Sequence, residues 1–242
     1  MRRFFCPSPN IADKLITITD SKEIHHLKDV LRLKPKEEVV VFDGEGNEFT
    51  GLIKQLSGSA IVIEIKRKSF LKDGSVDITV AAALPKKHKF DEIIDRLTQL
   101  GVSRIIPLRT KRTIVTLDEK SEARRMLRWK KIAISAAKQS RRNKIPVIES
   151  ICDFNRLISM TAEYQLKIIP TLDGKRKKLK DIFSRKSAGK ILIIIGPEGD
   201  FTRDEIDLAK KFGCIPVSLG SLVLRTETAC LAAVSFINLS LE

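Results

Sequence analysis

Four polar residues in a row, Arg225, Thr226, Glu227 and Thr228, follow an apolar, glycine-punctuated stretch ("LGSLVL", 219–224) and open a largely apolar segment. A carboxylate there can orient or deprotonate a reacting group, and a guanidinium can stabilise negative charge that develops on it. A plainer reading is open as well. Arg225 and Glu227 can simply pair at a helix start, where the macrodipole favours a glutamate. Two further loops bear on the choice. "KILIIIGPEGDFTRDEIDLAKKFG" (190–213) runs an aliphatic strand into Gly-Pro-Glu-Gly and then at once into a helix. Thr202 and Glu205 have capping-box spacing, and Gly213 stands where that helix must end. In "KIIPTLDG" (167–174), Pro170 stops another strand.

The amides at such a helix start can bind an anion. However, no Gly-Lys-Ser/Thr follows, so this is not a Walker loop. Glu198 and Asp200 would also repel a polyphosphate, and a neutral or cationic ligand fits better. In an open parallel α/β sheet, ligands lie beyond the carboxyl ends of the strands, where all three loops would be. From about residue 73 the chain alternates aliphatic strands with amphipathic helices, which is the pattern of a parallel sheet covered on both faces. The helix from about Thr228 is apolar on nearly all sides and must be buried in the core or against another subunit.

Up to about Phe70 the texture differs. "EEVVVFDGEGNEFTGLIKQLSGSAIVIEIKRK" reads as three strands with Asp-Gly and Ser-Gly turns. Ahead of it, Asp20 and Glu23 have the spacing of a capping box for a short helix. These features predict a small barrel-like domain over residues 1–72 and an α/β domain over 73–242. The adjacent His25 and His26 face different directions and make a poor metal pair.

The 242 residues carry 45 Lys and Arg against 30 Asp and Glu, a formal net charge of +15. The cations come in separate patches ("RTKR", "RRMLRWKK", "KQSRRNK"), which points to nucleic acid rather than to one basic tail. Four scattered cysteines without a CxxC pair argue against a structural zinc and fit a reduced compartment. No apolar run reaches the roughly 18–20 residues of a membrane span, and the N-terminus lacks a secretory h-region. The expected location is therefore cytoplasmic, with no membrane and no metal.

"IGPEGDFTRDEI" followed by "LGSLVLRTETA" resembles the C-terminal signature of the RsmE family. These are SPOUT-class enzymes that methylate uridine N3 in small-subunit (16S) ribosomal RNA with S-adenosylmethionine. "HHLKDVLRL", "KFDEIIDRLTQLGVSRIIPLRTKR" and "RWKKIAISAAKQSRRNKIPVI" extend the likeness over essentially the whole chain. The resemblance implies a PUA-like β-barrel, then an α/β domain with a C-terminal trefoil knot, in a homodimer. It implies cofactor contacts from Pro170, Thr171, Leu172, Ile195, Gly196, Pro197, Glu198, Gly199, Leu219, Gly220, Ser221, Leu224, Arg225 and Thr228. Glu227 and Arg225 would be catalytic; which of them, or whether a partner-chain arginine, acts on the uracil stays open. RNA contacts would come from Arg2, Arg3, His26, Arg32, Lys86, Lys89, Arg109, Arg112, Gln139, Arg141 and Arg142. The chain departs from the family pattern at Asp200, where glycine is common, and at Leu222, where a basic residue is common. Alternative readings are a SPOUT enzyme for another RNA target or a non-catalytic RNA-binding factor.

Overall fold

The structure is a computed structural model, and it describes residues 2–70, 76–86, 89–115, 118–172, 174–183 and 189–241. The chain divides into two compact units, Met1–Asp73 with Ala137–Ile145, and Gly74–Ala136 with Pro146–Glu242. The domain boundary predicted at residues 72 and 73 lies outside the described residues.

The first unit holds one six-stranded sheet: β1 (Arg3–Phe5), β2 (Ile11–Ala12), β3 (Leu15–Ile18), β4 (Glu38–Phe42), β5 (Asn47–Leu56) and β6 (Ile61–Phe70). Its order is β1-β4-β5-β6-β3-β2, with β1 parallel to β4 and every other pair antiparallel. The three strands read from "EEVVVF…IKRK" are β4, β5 and β6. Alternate residues of each point into a core of Phe4, Ile16, Val41, Phe49 and Ile63, joined by Ile24 and Leu27. The latter two come from helix α1 (Ser21–His25) and the π-helical turn His26–Val30 that continues it. Asp20 caps α1 by accepting from the amides of Lys22 and Glu23. Only that half of the expected capping box forms, because the Glu23 carboxylate takes Lys138 Nζ at 2.7 and 2.9 Å instead.

The second unit is built on a parallel sheet: β7 (Asp77–Ala83), β8 (Arg104–Arg109), β9 (Val147–Ile148), β10 (Cys152–Asp153), β11 (Leu166–Pro170), β12 (Lys177–Lys178), β13 (Lys190–Ile195) and β14 (Ile215–Ser218). The order is β10-β8-β7-β13-β11-β14-β12, with β9 also paired to β8, and all these pairs are parallel. β7 and β13 are buried almost throughout, as aliphatic strands without polar alternation require. The helices are α2 (Lys89–Gln99), α3 (Glu119–Gln139, whose residues from Ala137 on belong to the first unit), α4 (Phe154–Ser159), α5 (Leu179–Phe183), α6 (Arg203–Lys211) and α7 (Thr226–Leu241). On α3, the fully buried Trp129 stacks on Phe90 of α2 at 4.7 Å and donates its indole N–H to Asp91. The last helix, α7, sets Cys230, Ala233, Val234 and Ile237 into the core. Its Asn238 amide donates to the Leu100 carbonyl at the end of α2 (2.7 Å). Leu239, by contrast, is 73% exposed. Among the described residues, no helix is long and apolar enough to cross a membrane.

Candidate active site

β13, β11 and β14 are neighbours in the sheet, and the three loops singled out in the sequence leave their carboxyl ends. β13 stops at Gly196, where an added Cβ would lie 2.9 Å from the Phe201 ring. Phe201 is itself buried and packs against Phe154 of α4, so nothing larger than glycine fits there without displacing it. Residues 197–200 form a turn closed by the Asp200 amide on the Pro197 carbonyl (2.9 Å). Helix α6 then starts from a complete capping box: Thr202 Oγ1 accepts from the Glu205 amide, and Glu205 accepts from the Thr202 amide. Gly213 ends this segment at φ +82°.

The loop after β11 is held through Thr171, which is 6% exposed. Its amide donates to Val217 of β14 (3.2 Å), and its carbonyl accepts from Arg176 (3.0 Å). The third loop follows β14 through Gly220 and ends where Thr226, at the start of α7, donates its hydroxyl to the Gly196 carbonyl (3.0 Å). One hydrogen bond thus ties the end of the "SLVLRT" loop to the Gly-Pro-Glu-Gly turn.

Together the loops line a cleft of about 530 Å3, counted with its solvent-open mouth. Of the predicted cofactor contacts, Pro170, Thr171, Leu172, Ile195, Gly196, Pro197, Glu198, Leu219, Gly220 and Leu224 line it. Gly199, Ser221, Arg225 and Thr228 do not. Leu222, Val223 and Thr226 of the third loop complete the wall, with Arg176, Asp200 and Ala229, which had not been expected there. Thr226 and Ala229 follow from the first turn of α7, which starts two residues earlier than the sequence suggested. Arg176 turns back over five residues to reach the Thr171 carbonyl.

Glu227 is not part of this lining. Its carboxylate accepts from Lys89 Nζ at 3.0 Å, which joins the first turns of α2 and α7. Burial raises its pKa, but its own backbone amide, Lys89 and Arg225 outweigh that and hold the carboxyl below the usual range. Its second oxygen is buried without a hydrogen-bond partner. Arg225 is exposed beside the cleft.

The expected RNA contacts separate into exposed and engaged groups. In the second unit, Lys86 is exposed, Lys89 is committed to Glu227, and Arg109 pairs with Asp153 (3.2 Å). Arg112 donates to the Gly199 carbonyl. Beside it, the Lys111 amide donates to Glu205 (2.8 Å), so the "RTKR" loop braces the Gly-Pro-Glu-Gly turn. In the first unit, Arg32, Gln139 and Arg141 are exposed, and the exposed Arg2 pairs with Glu37 (2.8 Å). His26 meets the Phe4 ring edge to face. Arg3 and Arg142 are corrections to the sequence reading: both are buried. Arg3 donates to Glu48, to Asn143 and to the Arg142 carbonyl and lies over the Phe42 ring, where desolvation makes protein partners obligatory. Among the described residues, no cluster of His, Cys, Asp or Glu is arranged to hold a metal.

A parallel α/β unit with a ligand cleft at adjoining strand ends defines the class, and comparison with known proteins names it. A model described as "RNA methyltransferase domain" matches residues 72–238, and one described as "RNA methyltransferase PUA domain" matches residues 18–66. Ribosomal RNA small subunit methyltransferase E of Synechocystis is 31% identical over 96% of this chain and 75% of its own. The crystal structure of the enzyme of that name from Neisseria gonorrhoeae, bound to S-adenosyl methionine, superposes with a TM-score of 0.87 at 31% identity, covering 99% of this chain and 97% of that one. A putative methyltransferase from Legionella pneumophila, in complex with the same cofactor, gives 0.88 at 29% identity, covering 99% and 97%. The chain belongs to the ribosomal RNA small subunit methyltransferase E family of RNA methyltransferases.

Proposed function

We propose that this protein methylates N3 of a uridine in small-subunit ribosomal RNA, with S-adenosylmethionine held in the cleft beyond β11, β13 and β14. The observation that carries this reading is the convergence of the three loops on one cleft in a chain with two cofactor-bound relatives of matching fold. The residues present suit the cofactor. Pro170, Ile195, Leu219 and Leu224 offer apolar walls to an adenine. Glu198 places negative charge where a sulfonium is favoured and a polyphosphate is not.

The bound cofactor supplies an electrophilic methyl group, and the chain supplies placement and charge. The uracil imide must give up its N3 proton to water or hydroxide before N3 takes the methyl, so negative charge develops on the ring. Arg225, exposed at the mouth of the third loop, is the group assigned to that charge. Glu227 is assigned to positioning. A carboxylate with a lowered pKa and a lysine partner is a weak base, but it fixes the start of α7 from which Arg225 and Thr226 extend. N3 lies on the pairing edge, so the target uridine must be unpaired or turned out of its stack. Exposed Arg2, Arg32, Gln139, Arg141 and Lys86 are assigned to the RNA backbone. By family likeness we also assign closure of the first sheet into a barrel, a knotted C-terminal segment, a homodimer and a cytoplasmic site of action.

The test is direct. Purified protein, S-adenosylmethionine with a labelled methyl and small-subunit RNA should give one methylated nucleotide, identified by mass spectrometry as 3-methyluridine. The same nucleotide should be unmodified in cells lacking the gene. Label on another base, on a ribose or on an unrelated RNA would replace the substrate assignment. Calorimetry without binding of S-adenosylmethionine would instead leave a non-catalytic RNA-binding factor.

A further inference from the structure

Asp200 closes its turn in left-handed backbone, at φ +61°. That conformation suits glycine and strains most other residues, although aspartate and asparagine tolerate it through local hydrogen bonds. A turn that needed only to be tight would take glycine here without strain. The Asp200 carboxylate, however, reaches across to a different loop. Oδ2 accepts from the Thr171 hydroxyl at 2.9 Å and from the Leu172 amide at 2.8 Å, while Oδ1 accepts from the Phe201 amide at 2.8 Å. One side chain thereby joins the loop after β11 to the loop after β13, and both line the cleft. Hydrogen bonds to an ionised acceptor are roughly twice as strong as neutral ones, so the joint is a firm one.

We propose that Asp200 is a positioning residue for the cofactor, a clamp that holds the Thr171–Leu172 segment on the Gly-Pro-Glu-Gly turn before the ligand arrives. The assignment rests on the reading of this cleft as the cofactor site. A preformed cleft does not have to order its loops on binding, and the affinity gained comes from that saving. With Asp200 in place, Thr171 is gripped at all its polar atoms: the amide by Val217, the carbonyl by Arg176 and the hydroxyl by Asp200.

The experiment uses the full chain with Asp200→Gly and Asp200→Asn. Three quantities are measured: thermal midpoint without ligand, hydrogen exchange of the Leu172 amide without ligand, and calorimetric affinity for S-adenosylmethionine and S-adenosylhomocysteine. Asp200→Gly should still melt in one cooperative transition, because the relief of turn strain offsets part of the three lost hydrogen bonds. Its Leu172 amide should exchange at least tenfold faster, and both compounds should bind about tenfold more weakly. Asp200→Asn keeps an acceptor oxygen and tolerates the left-handed backbone, so it should recover most of both losses. Wild-type affinity and Leu172 protection in Asp200→Gly would overturn the clamp. So would an Asp200→Asn protein weakened toward the sulfonium alone, since that would make the charge and not the joint decisive. A wild-type protein that bound neither compound would instead bring down the cofactor reading, and this assignment with it.

Discussion

Glu227 shows how far a residue's chemistry depends on a partner distant in sequence. Lys89 lies 138 residues away, yet it converts a candidate base into half of an ion pair. Replacing Lys89 with Ala would leave a largely buried carboxylate unpaired, with one oxygen already lacking a partner. The expected loss is about 1–3 kcal/mol of unfolding free energy in urea titrations. The pH dependence has a definite sign. The folded pKa of Glu227 is below the ordinary value of 4.5, so the stability it adds is present above that value and is lost as pH falls through the lower folded pKa. Melting curves of wild type and Glu227→Gln should therefore differ at pH 7 and converge in acid below pH 4.5. Equal curves at both pH values would mean that the ion pair contributes nothing. Catalysis should separate the two polar residues differently. Arg225→Ala should lower single-turnover methylation by about 10²–10³-fold, as expected for a lost donor to developing charge. Glu227→Gln should cost less than Arg225→Ala at every pH. A larger loss in Glu227→Gln that shrinks as pH rises would restore Glu227 as the base.

The elements around the cleft are short and depend on their ends. α6 spans only Arg203–Lys211, yet its first turn carries the capping box, and Glu205 also receives the Lys111 amide. Thr202→Ala should cost about 0.5–2 kcal/mol, the range for a lost N-cap. Glu205→Ala should cost more, because it strands the amides of both Thr202 and Lys111 beside a residue that is 3% exposed. Denaturant midpoints of the two variants test the order, and a milder Glu205→Ala would contradict it. The cap was readable because N-cap and N3 are neighbours in the chain and their bonding needs no tertiary partner. The half-formed box at Asp20 shows the limit of such reading: its glutamate had a stronger, charged partner in Lys138.

For the whole molecule, the charge of +15 and the exposed cations of the first unit carry the expectation about RNA. Binding of small-subunit RNA by the intact protein should weaken steeply with salt, because each phosphate contact releases counterions, at a slope of about −0.7 per contact on single strands. Arg141→Ala should reduce that slope by about one contact without changing stability. Arg3→Ala should behave in the opposite way, destabilising the fold through the loss of its bonds to Glu48 and Asn143. Filter-binding titrations across salt, paired with melting curves, distinguish the two. A salt slope unchanged in Arg141→Ala would remove that residue from the RNA surface.

Strand positions, turn residues and helix caps were legible because each follows from residues a few places apart, through burial period, backbone freedom or an orphan amide. The three glycine- and proline-marked loops were legible for the same reason, and family likeness connected them to a cofactor. Strand order was not. The aliphatic strands β7, β11 and β13 offer equivalent surfaces to a neighbour, so nothing local states that β13 sits between β7 and β11. Side-chain partners across that order were equally out of reach. The pairing of Lys89 with Glu227, the burial of Arg3 with Asn143, 140 residues apart, and the reach of Asp200 to Thr171 exist only once the strands are assembled. Which charged groups face solvent and which face one another is a property of that assembly, because a buried ion must find its counterpart wherever the fold has brought one.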